Sequence, residues 1–237
     1  MKLKIFLLSI IFGVGLILPS KVLAATLYVN YSTGNDTTGS GSAEMPYKTF
    51  YKGYTMASAG DTLNLTGTFD WSNADETGDA SDTGYTLTKN LTLQGQSAAT
   101  TIIQAASSYN TAGRRVFTIN TGVTIATSKI TVRYGKNSGY GGGIYLSGTL
   151  NMDKSAVSYN VSGDSGGGIE VADGTLNLTN STINNNQAVY QGGGIHTGYY
   201  SSGTGTANIT NSTIAYNSIT YTVATIGGGG VAFRGSG

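Results

Sequence analysis

The sequence predicts an all-β fold, a parallel β-helix whose N-terminal end is covered by a short helix. The main observation is a repeat, which reads GTLNMDKSAVSYN at 148–160, GTLNLTNSTINNN at 174–186 and GTANITNSTIAYN at 205–217. A glycine triplet followed by isoleucine precedes each copy. A fixed period indicates that one supersecondary unit is repeated along the chain.

Apolar residues alternate with polar residues inside each copy. Leu150 and Met152 of the first copy correspond to Leu176 and Leu178 of the second. Because side chains two residues apart lie on the same face of a strand, each copy contains a strand with one buried face. Successive copies begin 26 and 31 residues apart, without helical spacing between them. The pattern predicts one coil per copy, hydrogen-bonded to the coils above and below it.

Two kinds of residue mark the predicted corners of each coil. An asparagine closes every copy, and asparagine tolerates a left-handed backbone, so we expect these residues to stack at one corner. The glycine triplets suit another corner, where a positive φ or a close backbone contact excludes a Cβ. The isoleucines that follow the triplets should form one interior file. The three asparagines are Asn160, Asn186 and Asn217, and the three isoleucines are Ile144, Ile169 and Ile195.

The residues quoted above, together with 114–136, resemble the right-handed parallel β-helix repeats of bacterial surface proteins. Polymorphic outer-membrane proteins and autotransporter passengers carry similar units, in which GGGI is followed by a short strand and a Thr/Ser/Asn-rich strand. The resemblance covers roughly residues 85–237. It implies a single-stranded, right-handed solenoid of the pectate-lyase-like kind, and it implies a bacterial surface protein such as an adhesin or passenger.

The first 24 residues have the features of a secretory signal peptide. Lys2 and Lys4 form a charged start, residues 5–18 form an apolar run, and the small Ala24 precedes the expected cleavage site. The run is short for a membrane-spanning helix. We therefore expect a secreted protein, extracellular or associated with the outer membrane or cell surface. We expect no transmembrane segment after cleavage.

A strand, a polar loop and a helix are predicted before the first coil. The strand contains Leu27–Val29, and Pro46 suits the first turn of the helix. Phe50 and the tyrosine four residues later recur at helical spacing, and Gly60 suits the end. This segment resembles the N-terminal part of secreted β-helix proteins, including pectate-lyase-like polysaccharide enzymes. The resemblance implies that the helix covers the open first coil.

Three regions follow from these patterns: a signal peptide at 1–24, the capping segment at 25–70, and a β-helix at 71–237. The last glycine-rich unit opens at 228, so we expect the β-helix to be truncated at its C-terminus. Without Lys2, Lys4 and Lys21, the mature chain has 10 Lys and Arg against 12 Asp and Glu, a balance of −2. This charge argues against a nucleic-acid partner. The chain contains no cysteine and therefore no disulfide. We also expect the protein to be a monomer.

The first candidate site is a column of residues that follow the GGGI units. Alternation predicts that Tyr145, Glu170, His196 and Ala232 face outward, about 4.8 Å apart from coil to coil. Glu170 beside His196, the only histidine, forms a candidate acid–base pair or part of a metal site. The alternative is a solvated stripe in which the residue type matters little.

The second candidate is an acidic loop at residues 70–82. Its five carboxylates are enough for a Ca²⁺ site, although they lack the spacing of a known Ca²⁺ loop. The alternative is a solvated loop without a metal, and apart from Ca²⁺ the sequence predicts no cofactor. The five residues are Asp70, Asp75, Glu76, Asp79 and Asp82.

The third candidate is the pair Tyr199 and Tyr200, which lie in an insertion that lengthens one coil. Insertions in a repeat often map to the binding face. Tyrosine has an apolar ring and a polar tip, which suits contact with a sugar. The alternative is ordinary strand composition, because tyrosine favours strands.

Two classes of function remain open. The resemblance to polysaccharide enzymes implies catalytic carboxylates, and glycoside hydrolysis needs two that face each other. Asp153 and Lys154 align with Thr179 and Asn180, so the repeats form no carboxylate column. The sequence therefore favours a non-catalytic adhesin, passenger or glycan-binding module, with a polysaccharide or a host or cell-surface ligand as partner. A pectate-lyase-like polysaccharide lyase or a glycoside hydrolase is the alternative.

Overall fold

The computed structural model describes residues 23–76, 84–198, 204–221 and 227–233 of the chain. These residues form short strands and one helix, α1 (Phe50–Met56). The strands pair in parallel throughout. Most of the predicted signal peptide lies outside the described residues. Within the described part of the chain, no helix has the length and apolar character needed to cross a membrane.

The strands form four sheets, and a coil is one passage of the chain through these sheets. The first sheet contains β1 (Thr26–Asn30), β2 (Thr62–Thr66), β5 (Leu91–Gly95), β8 (Thr124–Ser128), β12 (Thr149–Asp153), β16 (Thr175–Thr179) and β20 (Thr206–Thr210). The second sheet contains β3 (Thr68–Asp70), β6 (Ile102–Gln104), β9 (Thr131–Arg133), β13 (Ala156–Ser158), β17 (Thr182–Asn184) and β21 (Thr213–Ala215).

The third sheet contains β4 (Tyr85–Leu87), β7 (Phe117–Ile119), β11 (Ile144–Leu146), β15 (Ile169–Val171), β19 (Ile195–Thr197) and β23 (Val231–Phe233). The fourth is smaller and contains β10 (Lys136–Asn137), β14 (Val161–Ser162), β18 (Gln187–Ala188) and β22 (Ser218–Ile219). In every sheet the order of strands follows the order of the chain, so each coil lies on the one before it.

The register of the sheets follows the sequence repeat. Thr149 pairs with Thr175, which pairs with Thr206, so equivalent residues of the three copies are neighbours. The predicted file of Ile144, Ile169 and Ile195 is confirmed, and all three side chains are buried. The described residues are therefore all-β apart from one short helix, with parallel sheets stacked in register. This arrangement fits a β-helix or a similar solenoid.

The backbone at the corners corrects one detail of the prediction. The first glycine of each triplet has a positive φ, as expected: 66° at Gly141, 67° at Gly166 and 53° at Gly192. At the other corner, the left-handed residue is the one before each stacked asparagine, and not the asparagine itself. Before the three asparagines these left-handed residues are Tyr159, Asn185 and Tyr216, and Tyr134 occupies the equivalent position before Gly135; all four have φ between 55° and 57°.

The asparagines instead use their side chains to join the coils. Asn160 Nδ2 donates to Asn186 Oδ1 at 2.9 Å, and Asn186 Nδ2 donates to Asn217 Oδ1 at 3.0 Å. The same oxygens accept from the backbone N–H of the preceding coil's asparagine, at 3.0 Å in both cases. Asn160 and Asn186 are almost completely buried. This internal ladder therefore satisfies the polar groups of a corner that water does not reach.

Helix α1 packs against the first coil, where the sequence predicted a cap. Phe50 is fully buried, and its ring centroid lies 5.0 Å from that of Tyr85, 5.3 Å from Trp71 and 5.8 Å from Phe117. The predicted place of Pro46 in the first turn is wrong. The chain there is extended, because Tyr47 pairs with β1, and the helix begins only after the N-cap Thr49.

Candidate functional site

The predicted column exists in the third sheet, where its members pair in register. These members are Tyr145, Glu170, His196 and Ala232. The sequence predicts that these side chains are exposed to solvent, and this prediction is wrong for Glu170 and His196. Glu170 is 0% exposed and His196 is 2% exposed, although both lie on the face opposite the isoleucine file. The pair is therefore a buried polar contact and not a solvated stripe.

Glycine-rich segments explain this burial. A Cβ added at Gly141 would lie 3.2 Å from the Cβ of Glu170, and one added at Gly166 would lie 2.8 Å from its Cα. The backbone before β11 and β15 thus lies directly against the glutamate, where side chains would not fit. The triplets both turn the chain and bring it over the outer face of the sheet.

Glu170 and His196 form a close hydrogen-bonded pair with a third polar partner. Nδ1 of His196 lies 3.0 Å from Oε1 and 2.9 Å from Oε2 of Glu170. Nε2 lies 2.9 Å from Oε1 of Gln191. Burial raises the pKa of Glu170, while the hydrogen bond and charge of His196 oppose that rise. Both ring nitrogens therefore have a partner within the protein.

This arrangement limits the chemistry of the pair. A histidine that acts as a general base must present one ring nitrogen to a substrate proton at hydrogen-bond distance. Here the carboxylate of Glu170 orients Nδ1, but the amide of Gln191 occupies the position that a substrate would take at Nε2. The geometry suits a structural contact between neighbouring coils.

The column continues toward the first coils through Tyr145 and Arg115. The guanidinium carbon of Arg115 lies 4.9 Å from the ring centroid of Tyr145, within the range of a cation–π contact. Arg115 also donates to the carbonyl oxygens of Tyr140, at 2.8 Å, and Gly141, at 3.1 Å. Arg115 thus ties the glycine-rich segment to the column, a role that its position in the sequence did not suggest.

The described carboxylates of the acidic loop are separated by different structural contacts. Asp70 accepts hydrogen bonds from Ser72 and from Gln104 Nε2, the latter at 2.8 Å. Asp75 forms an ion pair with Lys48, at 2.5 Å. Asp79 and Asp82 lie outside the described residues. Within the described ranges, no group of three or more His, Cys, Asp or Glu side chains converges on a metal site. The Ca²⁺ site stays a prediction.

Glu76 connects the acidic loop to the capping helix. Its two carboxylate oxygens accept from the backbone N–H groups of Phe50, at 2.9 Å, and Tyr51, at 3.1 Å. Burial raises the pKa of Glu76 to about 7, although these hydrogen bonds act in the opposite direction. No local sequence pattern indicates this contact, because 26 residues separate Glu76 from Phe50.

Tyr199 and Tyr200 lie outside the described residues, so their proposed contact with sugar stays a prediction. The structure shows another set of tyrosines that sequence reasoning did not single out. Tyr134, Tyr159 and Tyr216 occupy equivalent left-handed corner positions in different coils. The recurring letters YN in the repeat are the sequence signal for Tyr159 and Tyr216, although the predicted corner depends on the asparagine alone.

No known protein family, curated protein or solved structure matches this chain.

Proposed function

We propose that the chain is a right-handed, single-stranded parallel β-helix that is exported and acts as a binding scaffold at the bacterial cell surface. The in-register stacking of the coils supports the solenoid, and the N-terminal sequence supports export. The main observation in support of a non-catalytic role is the buried contact between Glu170, His196 and Gln191. The chain's single histidine is thereby used to join two coils.

The polar outer face of the first sheet is consistent with a scaffold. Asn177 Nδ2 donates to Asn151 Oδ1 at 2.7 Å, and Asn208 Nδ2 donates to Asn177 Oδ1 at 2.8 Å. Such a ladder of uncharged amides joins the coils at a surface open to water. A rigid rod of this kind can hold binding residues at fixed spacing along its length.

The test uses the full chain with its native leader. Expression in a bacterial host should give a product that begins at Ala25 and that is recovered outside the inner membrane. The purified protein is then incubated with polygalacturonate and other glycans, with and without Ca²⁺. We expect no release of unsaturated or reducing products. Retention of the leader in the cytoplasm would contradict export, and product release would establish the lyase or hydrolase alternative.

A further inference from the structure

Three tyrosines and two basic residues meet at one corner of the central coils. The ring centroid of Tyr159 lies 6.1 Å from that of Tyr109 and 6.2 Å from that of Tyr134. Arg133 stacks on Tyr134, with its guanidinium carbon 4.5 Å from the ring centroid. Lys136 Nζ donates to the carbonyl oxygen of Asn110, the neighbour of Tyr109, at 3.3 Å. These five side chains, Tyr109, Arg133, Tyr134, Lys136 and Tyr159, are called the tyrosine corner.

Two rings of the tyrosine corner are exposed, and its arginine is held in place. Tyr109 is 41% exposed and Tyr159 is 43% exposed. Arg133 is held against Tyr134 because its Nε donates to Gln104 Oε1 at 2.8 Å, and Gln104 in turn donates to Asp70. The cation and the rings therefore form a preorganised surface, which lowers the entropy lost when a ligand binds.

The backbone does not require tyrosine at these two positions. Tyr134 and Tyr159 have φ values of 57° and 56°, a left-handed conformation that disfavours a bulky side chain. The next coil has Asn185 at the same position with the same φ, so the fold accepts the residue that this backbone prefers. Bulky residues in such conformations concentrate at functional sites, and Tyr134 and Tyr159 combine this conformation with a mutual ring contact and a stacked arginine.

Charge is distributed unevenly in a way that favours an anionic ligand. All twelve Asp and Glu residues lie before residue 83 or after residue 152. The stretch between these positions contains six basic residues: Lys89, Arg114, Arg115, Lys129, Arg133 and Lys136. The mature chain, with its expected net charge of −2, thus contains a positive segment, and this segment includes every member of the tyrosine corner except Tyr159.

We propose that the tyrosine corner binds an acidic glycan, with pyranose rings against the tyrosines and carboxylate or sulfate groups on Arg133 and Lys136. A tyrosine ring offers an apolar face to a sugar and a hydroxyl at its edge, and a guanidinium pairs with a planar anionic group. The proposal rests on the surface-binding function above and deepens it, because it names the ligand class and the residues.

The experiment measures binding of the purified full chain to heparin and to polygalacturonate, with dextran as the neutral glycan. We expect Tyr134→Asn and Tyr159→Asn each to weaken binding about tenfold or more, with unchanged or higher resistance to urea. Lys136→Gln should weaken binding by a similar factor at low salt and less at high salt. The two acidic glycans distinguish sulfate from carboxylate recognition.

Matched controls occupy other coils. Tyr216→Asn changes a tyrosine with the same φ of 55° that lies two coils beyond Tyr159, and Lys154→Gln changes an exposed lysine. Neither should alter binding. Equal binding by the tyrosine variants and wild type would overturn the site while leaving the surface function intact. Equal binding to dextran or to a single-stranded oligonucleotide would overturn the ligand class. Failed export would instead refute the proposed function.

Discussion

At the scale of single residues, Glu170 and His196 lie on an outer face of a sheet and are nevertheless buried. Substituting either residue should therefore lower the stability of the protein more than a surface substitution does. Glu170→Ala should lower the free energy of unfolding by about 3 kcal/mol, because it leaves Nδ1 of a buried imidazole without its hydrogen-bond partner and opens a space at the glutamate. Urea denaturation measures the change. Asp173→Asn is the control, since Asp173 is exposed three residues away and should change stability by less than about 0.5 kcal/mol. Equal effects would show that the pair is solvated.

Glu76 should make stability depend on pH. Its pKa is raised from 4.5 to about 7 in the folded state, so between these values the folded chain binds more protons than the unfolded chain. The free energy of unfolding therefore falls as pH rises from about 4.5 to 7, by about 3 kcal/mol. Glu76→Gln should lack this contribution, so its free energy of unfolding should fall by about 3 kcal/mol less than that of the wild type between pH 4.5 and 8.

The control for Glu76 is Glu44→Gln, which changes an exposed carboxylate in the same N-terminal segment. This variant should keep the pH dependence of the wild type, because the Glu44 side chain lies at the surface and away from the helix N–H groups that Glu76 binds. An identical pH profile for Glu76→Gln and wild type would mean that the carboxylate is solvated in the folded protein and that its pKa is not raised.

At the scale of structural elements, the asparagine ladder joins three coils at one buried corner. Asn186→Ala removes the acceptor for both the backbone N–H and Nδ2 of Asn160, and it removes the donor to the carbonyl oxygen of Val157. We expect a loss of about 3 kcal/mol in urea denaturation, since each unsatisfied buried group costs about 1–3 kcal/mol. Asn177→Ala, in the exposed ladder, should cost less than about 1 kcal/mol. A similar loss in both variants would contradict this difference.

The sequence predicted the strands better than the ends of the helix. Alternating residues such as Leu150 and Met152 identify strands because local spacing decides which face is buried. The start of helix α1 depends instead on contacts with distant parts of the chain. Tyr47 is held extended by β1, and Glu76 accepts from the first helical N–H groups. Neither contact leaves a mark in the local sequence.

At the scale of the whole molecule, the repeat predicted which residues are neighbours but not which are buried. Glu170 lies beside His196 because both occupy the same place in successive units. Their burial depends on the path of the glycine-rich segments, which the period does not specify. The tyrosine corner was missed for a similar reason, since Tyr109 reaches Tyr159 from a loop outside the repeat.

The stacking of whole coils predicts that one complete coil can be removed. Deletion of residues 149–174 joins Gly148 to Thr175 and restores the native Gly–Thr junction in register, because Thr149 pairs with Thr175. The deletion removes Glu170, the partner of His196, so it is combined with His196→Ala. Alanine is chosen because Ala232 occupies the same position in the next coil. We expect a folded β-protein by circular dichroism with a lower urea m-value, since less surface is exposed on unfolding.

Deletion of residues 149–161, half a coil, should prevent folding by shifting every later strand. Equal folding of the two deletions would show that the coils do not stack as units.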